Sequence, residues 1–393
     1  MKNLPIGMQS IEKIINGGYL YVDKTEIIYK LIMEGQYYFL SRPRRFGKSL
    51  LLSTLEAIFK GNKELFRECF IYNEDYDWKE HPVLFLDFTQ IKTQSTQELE
   101  TMLITALGDI ALSYGKSIRS SSLQQGLIDL IKELSEDGPV VVLIDEYDKP
   151  LVDNLGEMDV AKSNQRLMKD FYGTLKGLDK YLRFVFLTGV TKFSQVSLFS
   201  GPNNLDDITI DPGYATLLGY TDNEIQDYMR DRIKKIAEQR SLFKDTSECD
   251  VLAEMKEWYN GYRFSWGALP VYNPHSTLSF LKNGRVQNYW YRTGTPTFLI
   301  EQVRKQPKSA AQLSKVSVEE DELLDSGDLI QLDLRSLMWQ TGYLAIRDYD
   351  QATRCYELDF PNREVREAFF KSILRQFTKL NISMVGDYAG RFN

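Results

Sequence analysis

A short segment near the N-terminus carries the residue types that hold phosphate groups. Residues 41–49 read SRPRRFGKS and end in Gly47, Lys48 and Ser49, as a phosphate-binding loop (P-loop) does. Backbone N–H groups of such a loop point at the phosphates. Lys48 would neutralise the outer phosphates, and the Ser49 hydroxyl would bind Mg²⁺. Arg42 stands where the usual pattern has its first glycine, so an exposed basic loop is the alternative.

Two acidic residues follow an apolar run roughly a hundred residues further along the chain. Residues 140–144 read VVVLI, and Asp145 and Glu146 come directly after them. A buried parallel strand delivers its last residues to the sheet edge where ligands bind. There Asp145 would hold Mg²⁺, and Glu146 would orient or deprotonate the attacking water. The alternative is that these acids cap a helix, and for Asp148 both interpretations stay open.

Apolar runs alternate with helical patterns over about residues 1–215. Four runs are almost wholly apolar, as in strands buried on both faces of a parallel sheet. They are 37–40, 83–88, 140–144 and 184–187, with 208–210 as a weaker candidate. Apolar residues recur at helical spacing in 49–59, 99–112 and 123–134. The alternation predicts a doubly wound α/β domain in which the P-loop follows the first strand.

The strand predicted at 184–187 would be the additional strand of ASCE-type P-loop ATPases. In that class it lies between the strands that carry the two motifs, and its tip bears a polar side chain that senses the γ-phosphate. Thr188 is the best sensor candidate, followed by Thr191 and Lys192. The alternative is that Thr188 caps the next segment.

The loop also contains three arginines, Arg42, Arg44 and Arg45. An arginine beside the phosphates can stabilise charge in the transition state. Pairing with an acid such as Asp148, or contact with nucleic-acid phosphates, are the alternatives. We expect Arg44 or Arg45 to contact the nucleotide.

The character of the sequence changes after residue 215. Residues 222 to about 300 are predicted to be mostly helical, and Thr221 and Glu224 have the spacing of a capping box. From about residue 310 the pattern is helical again and then strand-like, which predicts a small winged-helix-like unit. The strand-like pieces are 343–346 and 355–358. The resulting domains are a P-loop domain at 1–215, a helical lid at 216–305 and a winged-helix-like region at 306–393.

The composition restricts the class of protein. The chain has 393 residues and a net charge of −7, which argues against a surface that binds nucleic acid throughout. With two histidines and three distant cysteines, neither a histidine metal cage nor a disulfide framework is expected. We find no run resembling a signal peptide or approaching the ~20 apolar residues that span a bilayer. The sequence thus predicts a cytoplasmic protein without a membrane segment.

Several segments together resemble the bacterial predicted AAA-ATPase family (AAA-ATPase-like domain), and the resemblance covers nearly the whole chain. An arginine-containing P-loop is normal in that family. The segments are YVDKT (21–25), SRPRRFGKS (41–49), LIDEYD (143–148), WYNGYRF (258–264), VYNPHS (271–276), YWYRTGTPTFL (289–299) and FPNREVR (360–366).

The resemblance implies ATP and Mg²⁺ as ligands, with adenine preferred over guanine on this ground alone. It implies that the segment before the first strand, Val22, Asp23 and Thr25, contacts the adenine; a helix N-cap at Asp23 or Thr25 is the alternative. The full set of expected nucleotide-binding residues is Asp23, Thr25, Arg44, Phe46, Gly47, Lys48, Ser49 and Leu50. The expected catalytic residues are Lys48, Glu146, Arg45 and Thr188, and the expected metal ligands are Ser49 and Asp145.

Residues 273–275 could reach the adenine or a phosphate as a second sensor. The favoured alternative is a tight turn before a helix, with Asn273 or Ser276 as its N-cap. Members of the family commonly continue into a PD-(D/E)XK nuclease domain after the 360–366 segment. The tail of this chain lacks an Asp…Glu-x-Lys pattern, so we expect these residues not to cleave nucleic acid.

The leading hypothesis is an Mg²⁺-dependent ATPase, or ATP-driven switch, that signals to a protein partner or a fused effector. The alternatives are a nucleotide-binding scaffold that does not hydrolyse ATP and a nucleic-acid-linked module, which the negative charge does not support. A GTPase is disfavoured, because residues 191–194 read TKFS and lack the aspartate that recognises guanine.

Overall fold

A parallel sheet forms the centre of the computed structural model, which describes residues 1–118, 120, 122–192, 205–291, 315–324 and 333–378. The sheet contains β1 (Tyr37–Ser41), β2 (Val83–Asp87), β3 (Val140–Asp145), β4 (Leu182–Gly189) and β5 (Asp206–Asp207). The strands are arranged in the order β2-β3-β4-β1-β5, and every pairing is parallel. β4 therefore lies between the two motif-bearing strands, which confirms the predicted fold class.

Both faces of the sheet are covered by helices, as the continuous apolar runs predict. All six residues of β3 are buried; Val141 and Leu143 pack on one face, and Val142 and Ile144 on the other. The first face packs against α1 (Ile11–Asn16), α2 (Thr25–Glu34) and α3 (Lys48–Phe59). The second packs against α4 (Thr96–Ser113), α5 (Leu123–Leu134), α6 (Lys149–Val152) and α7 (Met158–Lys176). Short 3-10 helices span Lys63–Phe66, Phe70–Asn73, Phe88–Gln90, Asp179–Tyr181 and Pro212–Tyr214.

The strand expected at 208–210 is displaced. Only Asp206–Asp207 form β5, and the next residues turn away from the sheet. The backbone N–H of Ser41 donates to the Thr209 hydroxyl at 3.1 Å, so a side chain takes the place of the main-chain ladder here. The sequence of residues 208–210 alone does not show that a side chain replaces a main-chain hydrogen bond at this point.

Helices dominate the middle of the chain, as expected. They are α8 (Asp222–Ser241), α9 (Glu248–Tyr259) and α10 (Pro274–Asn283), which we call the helical region. The predicted capping box is confirmed, because Glu224 N donates to the Thr221 hydroxyl at 3.2 Å and Thr221 N donates to the Glu224 carboxylate at 2.8 Å. The part of this prediction that falls on 292–300 lies outside the described residues.

The C-terminal part contains a second, antiparallel sheet in the order β6-β8-β7. Its elements are β6 (Val316–Glu319), α11 (Glu320–Leu324), α12 (Leu334–Gln340), β7 (Ala345–Asp350), β8 (Cys355–Asp359) and α13 (Arg363–Thr378). β6 corrects the expectation of helix from residue 310; its alternation of buried Val316 and Val318 is too short to stand out in sequence. The winged-helix assignment and the domain boundaries stay predictions.

The C-terminal elements do not form a separate core. Trp339 and Phe369 belong to the same apolar cluster as Leu40 of β1 and Leu55 of α3. Gly342, two residues after α12, packs directly against Pro43 of the phosphate-binding loop. In the described ranges, no helix combines the length and apolar character needed to cross a bilayer.

Candidate nucleotide-binding site

The strand register brings the predicted motif residues to one edge of the sheet. β1 and β4 pair Leu40 with Thr188, and β3 lies on the other side of β4. Since parallel strands end at the same edge, the residues after β1 and the last residue of β3, Asp145, lie on both sides of Thr188. A site at this edge is therefore a direct consequence of strand order.

Asp145 is the centre of the polar cluster at this edge. Its Oδ2 accepts a hydrogen bond from Ser49 Oγ at 2.5 Å, and its Oδ1 accepts one from Thr188 Oγ1 at 2.6 Å. Asp145 is buried, as is Thr188. The structure thus brings together the two predicted metal ligands and the first sensor candidate; their roles toward a ligand stay predictions.

The loop between β1 and α3, which we call the phosphate cradle after its predicted role, contains two residues in the left-handed backbone region. Arg45 and Gly47 adopt positive φ angles of 68° and 97°. Such angles favour glycine, and at Gly47 no heavy atom of the described residues lies within 4 Å of where a Cβ would stand. Helix α3 then begins at Lys48, with its free N–H groups at the loop. Phosphate oxygens could approach the backbone here.

Lys48 is buried and folded back onto its own loop. Its Nζ donates to the carbonyl oxygens of Arg42 at 2.9 Å and Pro43 at 3.2 Å. Burial lowers the pKa of Lys48, and the negative charges of Asp145 and Glu146 oppose that shift. Phosphate oxygens would be stronger partners than these two neutral carbonyls.

Arg42 is directed away from the cradle and into the protein. Its Nη1 donates to the carbonyl oxygens of Thr209 at 2.7 Å and Ser41 at 2.9 Å. Its guanidinium lies 4.1 Å from the ring centre of Phe264. Burial lowers the pKa of Arg42 to about 9, with the negative charge of Asp207 opposing that shift. In the first-glycine position, Arg42 therefore fixes the base of the loop.

Arg44 and Arg45 occupy different surroundings. Arg44 is half-buried and close enough to the acids for its positive charge to act on the pKa of Glu146. Arg45 is exposed and near the helical region, where burial and then the charge of Arg45 lower the pKa of His275. Of the two, Arg44 lies nearer to the acidic edge.

Glu146 follows Asp145 in a left-handed backbone conformation, with φ of 52°. Burial raises the pKa of Glu146, while the positive charge of Lys48 opposes the shift. A raised pKa makes this carboxylate a stronger base than an exposed glutamate.

Asp148 joins two loops instead of capping a helix with its side chain. Its Oδ2 accepts from Thr191 N at 2.7 Å and from Thr191 Oγ1 at 2.6 Å. Lys192 forms an ion pair with Asp207, with Nζ 2.5 Å from Oδ2. Both of the lower-ranked sensor candidates are thus engaged by other side chains, and Thr188 remains beside Asp145.

An apolar cleft adjoins the cradle. Tyr21 and Val22 form one wall, Gly47 and Leu50 belong to the loop side, and Pro274 comes from the helical region. The cleft is also lined by Phe46, Leu51, Thr54 and residues 217–220. A flat aromatic base would find apolar walls here, next to a phosphate cradle.

Asp23 and Thr25 are not among the residues that line this cleft. Asp23 accepts from Thr25 N at 2.8 Å and from Phe70 N at 2.7 Å. The Thr25 hydroxyl accepts from Ile71 N at 3.1 Å. Both side chains therefore hold the start of α2 against the 3-10 helix Phe70–Asn73. The N-cap of α2 is Lys24, so the alternative of an N-cap at Asp23 or Thr25 is wrong, and their contact with the base stays a prediction.

The segment predicted as a second sensor forms the favoured turn. Asn273 is the N-cap of α10, and its side-chain oxygen accepts from Ser276 N at 3.0 Å. Of residues 273–275, Pro274 lines the apolar cleft.

Some residues at the site were missed from the sequence. Lys24 lines the cleft and pairs with Glu224, with 2.6 Å between Nζ and Oε1. Trp290 donates through its indole nitrogen to the carbonyl oxygen of Arg44 at 3.0 Å. The sequence analysis includes the aromatic segment around Trp290, but the sequence does not indicate that Trp290 contacts the loop.

The chain is similar to a protein family and to other known proteins. The profile of the Predicted AAA-ATPase family matches residues 5–199. An uncharacterized protein encoded in the vnfD 5' region of Azotobacter chroococcum mcd 1 is 37% identical over 384 residues, which cover 96% of this chain and 70% of the relative. Among solved structures, the Aeropyrum pernix ORC2 protein, in ADPNP–ADP complexes, aligns over 86% of this chain and 87% of its own, at 11% identity and a TM-score of 0.29.

The family assignment follows from the sequence matches, and the strand order and the phosphate cradle are consistent with it. The chain belongs to the Predicted AAA-ATPase family and has the ATPase-like, nucleotide-binding character of that family.

Proposed function

We propose that the protein is an Mg²⁺-dependent ATPase that works as a nucleotide-driven switch for a protein partner or a fused effector. The proposal rests chiefly on the position of Asp145, whose two carboxylate oxygens accept hydrogen bonds from the Ser49 and Thr188 hydroxyls at 2.5 and 2.6 Å. This joins the phosphate loop, the acidic strand end and the additional strand in one polar cluster.

The cleft and the cradle together fit a nucleoside triphosphate. The base would enter between Tyr21, Val22 and Pro274, and the phosphates would lie over Gly47 at the start of α3. Lys48 would exchange two loop carbonyls for phosphate oxygens. The apolar walls suit the base, and the buried lysine suits the charge.

The oxygen atoms at the end of the cradle fit Mg²⁺. Ser49 and Asp145 offer a hydroxyl and a carboxylate, which are hard ligands. In the described ranges, no group of three or more His, Cys, Asp or Glu residues is arranged to hold a metal ion. An ion here would be shared with phosphate oxygens and waters, as Mg²⁺ usually is. When bound, it would neutralise phosphate charge.

Hydrolysis would use Glu146 as the base. Its raised pKa suits proton abstraction from a water held near the end of the phosphate chain. Thr188 would orient the carboxylate of Asp145, which is one of the two predicted Mg²⁺ ligands. Arg44, on the acidic side of the loop, is the better placed arginine to stabilise transition-state charge.

Three contacts connect the loop to other parts of the fold, which supports the switch. Phe46 packs edge-to-face on Tyr262 of the helical region, with 4.8 Å between ring centres. Trp290 Nε1 donates to Arg44 O at 3.0 Å, and Gly342, just after α12, packs so closely on the loop that a Cβ there would lie 2.7 Å from the Pro43 ring. A rearrangement of the loop on nucleotide binding would act on all three.

Phosphate release by wild-type protein and Glu146→Gln tests the enzymatic half of the proposal. We expect slow Mg²⁺-dependent release by the wild type, and ATP binding without release by the variant. Glu157→Gln, at the exposed N-cap of α7, serves as the control and should retain release. Tight ATP binding with no release by the wild type would instead favour the non-hydrolysing scaffold.

A further inference from the structure

A second concave surface of the molecule is basic, in a chain whose net charge is −7. This groove lies between the helical region and the C-terminal sheet. Five of its lining side chains are basic and two are acidic: Lys256, Arg263, Arg347, Arg363 and Arg366, against Glu257 and Asp359. The nucleotide site does not use any of these residues.

Two of the basic groups are already neutralised. Arg363 pairs with Glu257 at 3.1 Å and with Glu367 at 2.7 Å. Lys256 pairs with Asp222 at 2.7 Å. The pairs with Glu257 and Asp222 are exposed and therefore contribute little to stability. These paired side chains form the rim of the groove but add little to its net positive charge.

The other three arginines keep more of their charge available. Arg263 donates through Nη1 to the carbonyl oxygen of Arg347 at 2.9 Å. Arg347 donates through Nη2 to the carbonyls of Phe360 and Pro361, and the charge of Asp359 acts on it. Arg366 is exposed and has no ion pair with any described residue. Backbone carbonyls orient a guanidinium without cancelling its charge.

The floor of the groove is held by close backbone packing. Gly261 has φ of 94°, and a Cβ there would lie 1.9 Å from the carbonyl oxygen of Pro361. Next to it, Asn362 donates through Nδ2 to the carbonyl oxygen of Asn260 at 2.8 Å. The arginines therefore project from a fixed surface, which lowers the entropic cost of ordering them on a ligand.

We propose that this groove binds an oligophosphate, meaning several phosphate groups in a row, as on a nucleic-acid strand or a free polyphosphate. Arginine forks match phosphate oxygens in geometry and charge. The groove is larger than a single phosphate requires, and its cations lie on both walls. Arg263 and Arg347 form the inner contacts, and Arg366 forms an outer one.

The groove also shares a segment with the nucleotide site. Gly261 and Arg263 face the groove, while the alternate residues Tyr262 and Phe264 contact Phe46 and Arg42 of the phosphate loop. A ligand in the groove would therefore influence the loop. This coupling rests on the proposed function, whereas binding in the groove does not.

Binding is tested on the full chain with two probes, a fluorescein-labelled oligothymidylate and inorganic triphosphate. The protein carries Lys48→Ala, so that the phosphate loop does not compete and failure of the ATPase proposal does not affect the result. Arg366→Ala is compared with Lys234→Ala, which removes one positive charge from an exposed position of α8 outside the groove. Thermal unfolding confirms that both variants fold.

Arg366→Ala should weaken binding and make the salt dependence shallower. For a single strand, each lost phosphate contact reduces the slope of log K against log salt by about 0.7. Lys234→Ala should leave both quantities unchanged. Binding of the oligothymidylate would identify a nucleic-acid strand as the source of phosphates, and binding of triphosphate alone would identify a free oligophosphate. Equal losses in the two variants, or no binding of either probe at low salt, would overturn the proposal.

Discussion

The indole nitrogen of Trp290 donates a hydrogen bond to the carbonyl oxygen of Arg44 at 3.0 Å. The two residues are 246 positions apart, and this bond joins the segment after α10 to the phosphate loop. Nearby, Gly342 approaches the same loop so closely that a Cβ would lie 2.7 Å from the ring of Pro43. The phosphate loop is thus held from outside its own sheet.

Trp290→Phe should loosen this support while keeping an aromatic ring against Tyr343. Loss of one hydrogen bond predicts a decrease of about 1 kcal/mol in the free energy of unfolding. A less ordered loop should also bind nucleotide more weakly. Urea unfolding and ATP titration measure the two effects. The switch proposal would be contradicted if ATP affinity did not change while stability fell.

Thr188→Val tests the orientation of Asp145. Valine has nearly the shape of threonine but cannot donate the 2.6 Å hydrogen bond to Asp145 Oδ1. Loss of a group that orients a metal ligand typically costs about 10- to 100-fold in metal affinity. We expect a decrease of that order in Mg²⁺ affinity, measured by Mg²⁺ titration of the ATP complex. The control Thr101→Val, at an exposed position of α4, should not change the Mg²⁺ affinity. Equal Mg²⁺ affinities in the wild type and Thr188→Val would exclude the proposed role of Thr188.

Leu50→Trp tests which part of the nucleotide enters the apolar cleft. Leu50 lines the cleft beside the cradle, and a larger side chain would fill space that we assign to the base. The substitution should weaken ATP binding strongly and inorganic triphosphate binding little, in competition titrations. Equal weakening of both ligands would show that the cleft is not the base site.

Glu364 should make stability depend on pH. It is buried, its Oε2 accepts from Ser276 Oγ at 2.7 Å and its Oε1 from Trp290 N at 2.7 Å. Burial raises the pKa of Glu364 to about 8, from a reference value of 4.5. The folded protein therefore holds a proton that the unfolded chain releases between those values. This stabilising contribution is complete below the lower value and is lost as pH rises through the upper one.

Glu364→Gln removes the titrating group and can still accept from Trp290 N. Its free energy of unfolding should change less than that of the wild type between about pH 4.5 and pH 8. Urea unfolding at a series of pH values measures this. Glu357→Gln, at an exposed position of β8, should behave as the wild type does. Identical pH profiles for the wild type and Glu364→Gln would refute the assignment.

The sequence predicted the sheet and the motif positions well, because both depend on local patterns. Strands buried on two faces must be apolar throughout, as residues 140–144 are, and a phosphate loop must sit between a strand and a helix. The strand order followed from the class of P-loop protein that the motif spacing indicated. The capping box at Thr221 was equally local.

Side-chain direction was not predictable, because it depends on distant partners. Arg42 donates to a carbonyl 167 positions away, and Thr25 accepts from a backbone group 46 positions away. Nothing near either residue in sequence shows whether it faces a ligand or the core. For the same reason, the contact of Trp290 with the loop required the structure.

The central claim, that the loop at 41–49 binds the phosphates of ATP, is tested most directly by thermal unfolding. Wild type, Lys48→Ala and the exposed control Lys132→Ala are compared with and without Mg²⁺ and ATP, ADP or GTP. At about 100 times its Kd, a nucleotide should stabilise the wild type and the control by about 2.7 kcal/mol. Lys48→Ala should show little or no shift. A shift that persists in Lys48→Ala, or no shift in nucleotide-free wild type, would contradict the account.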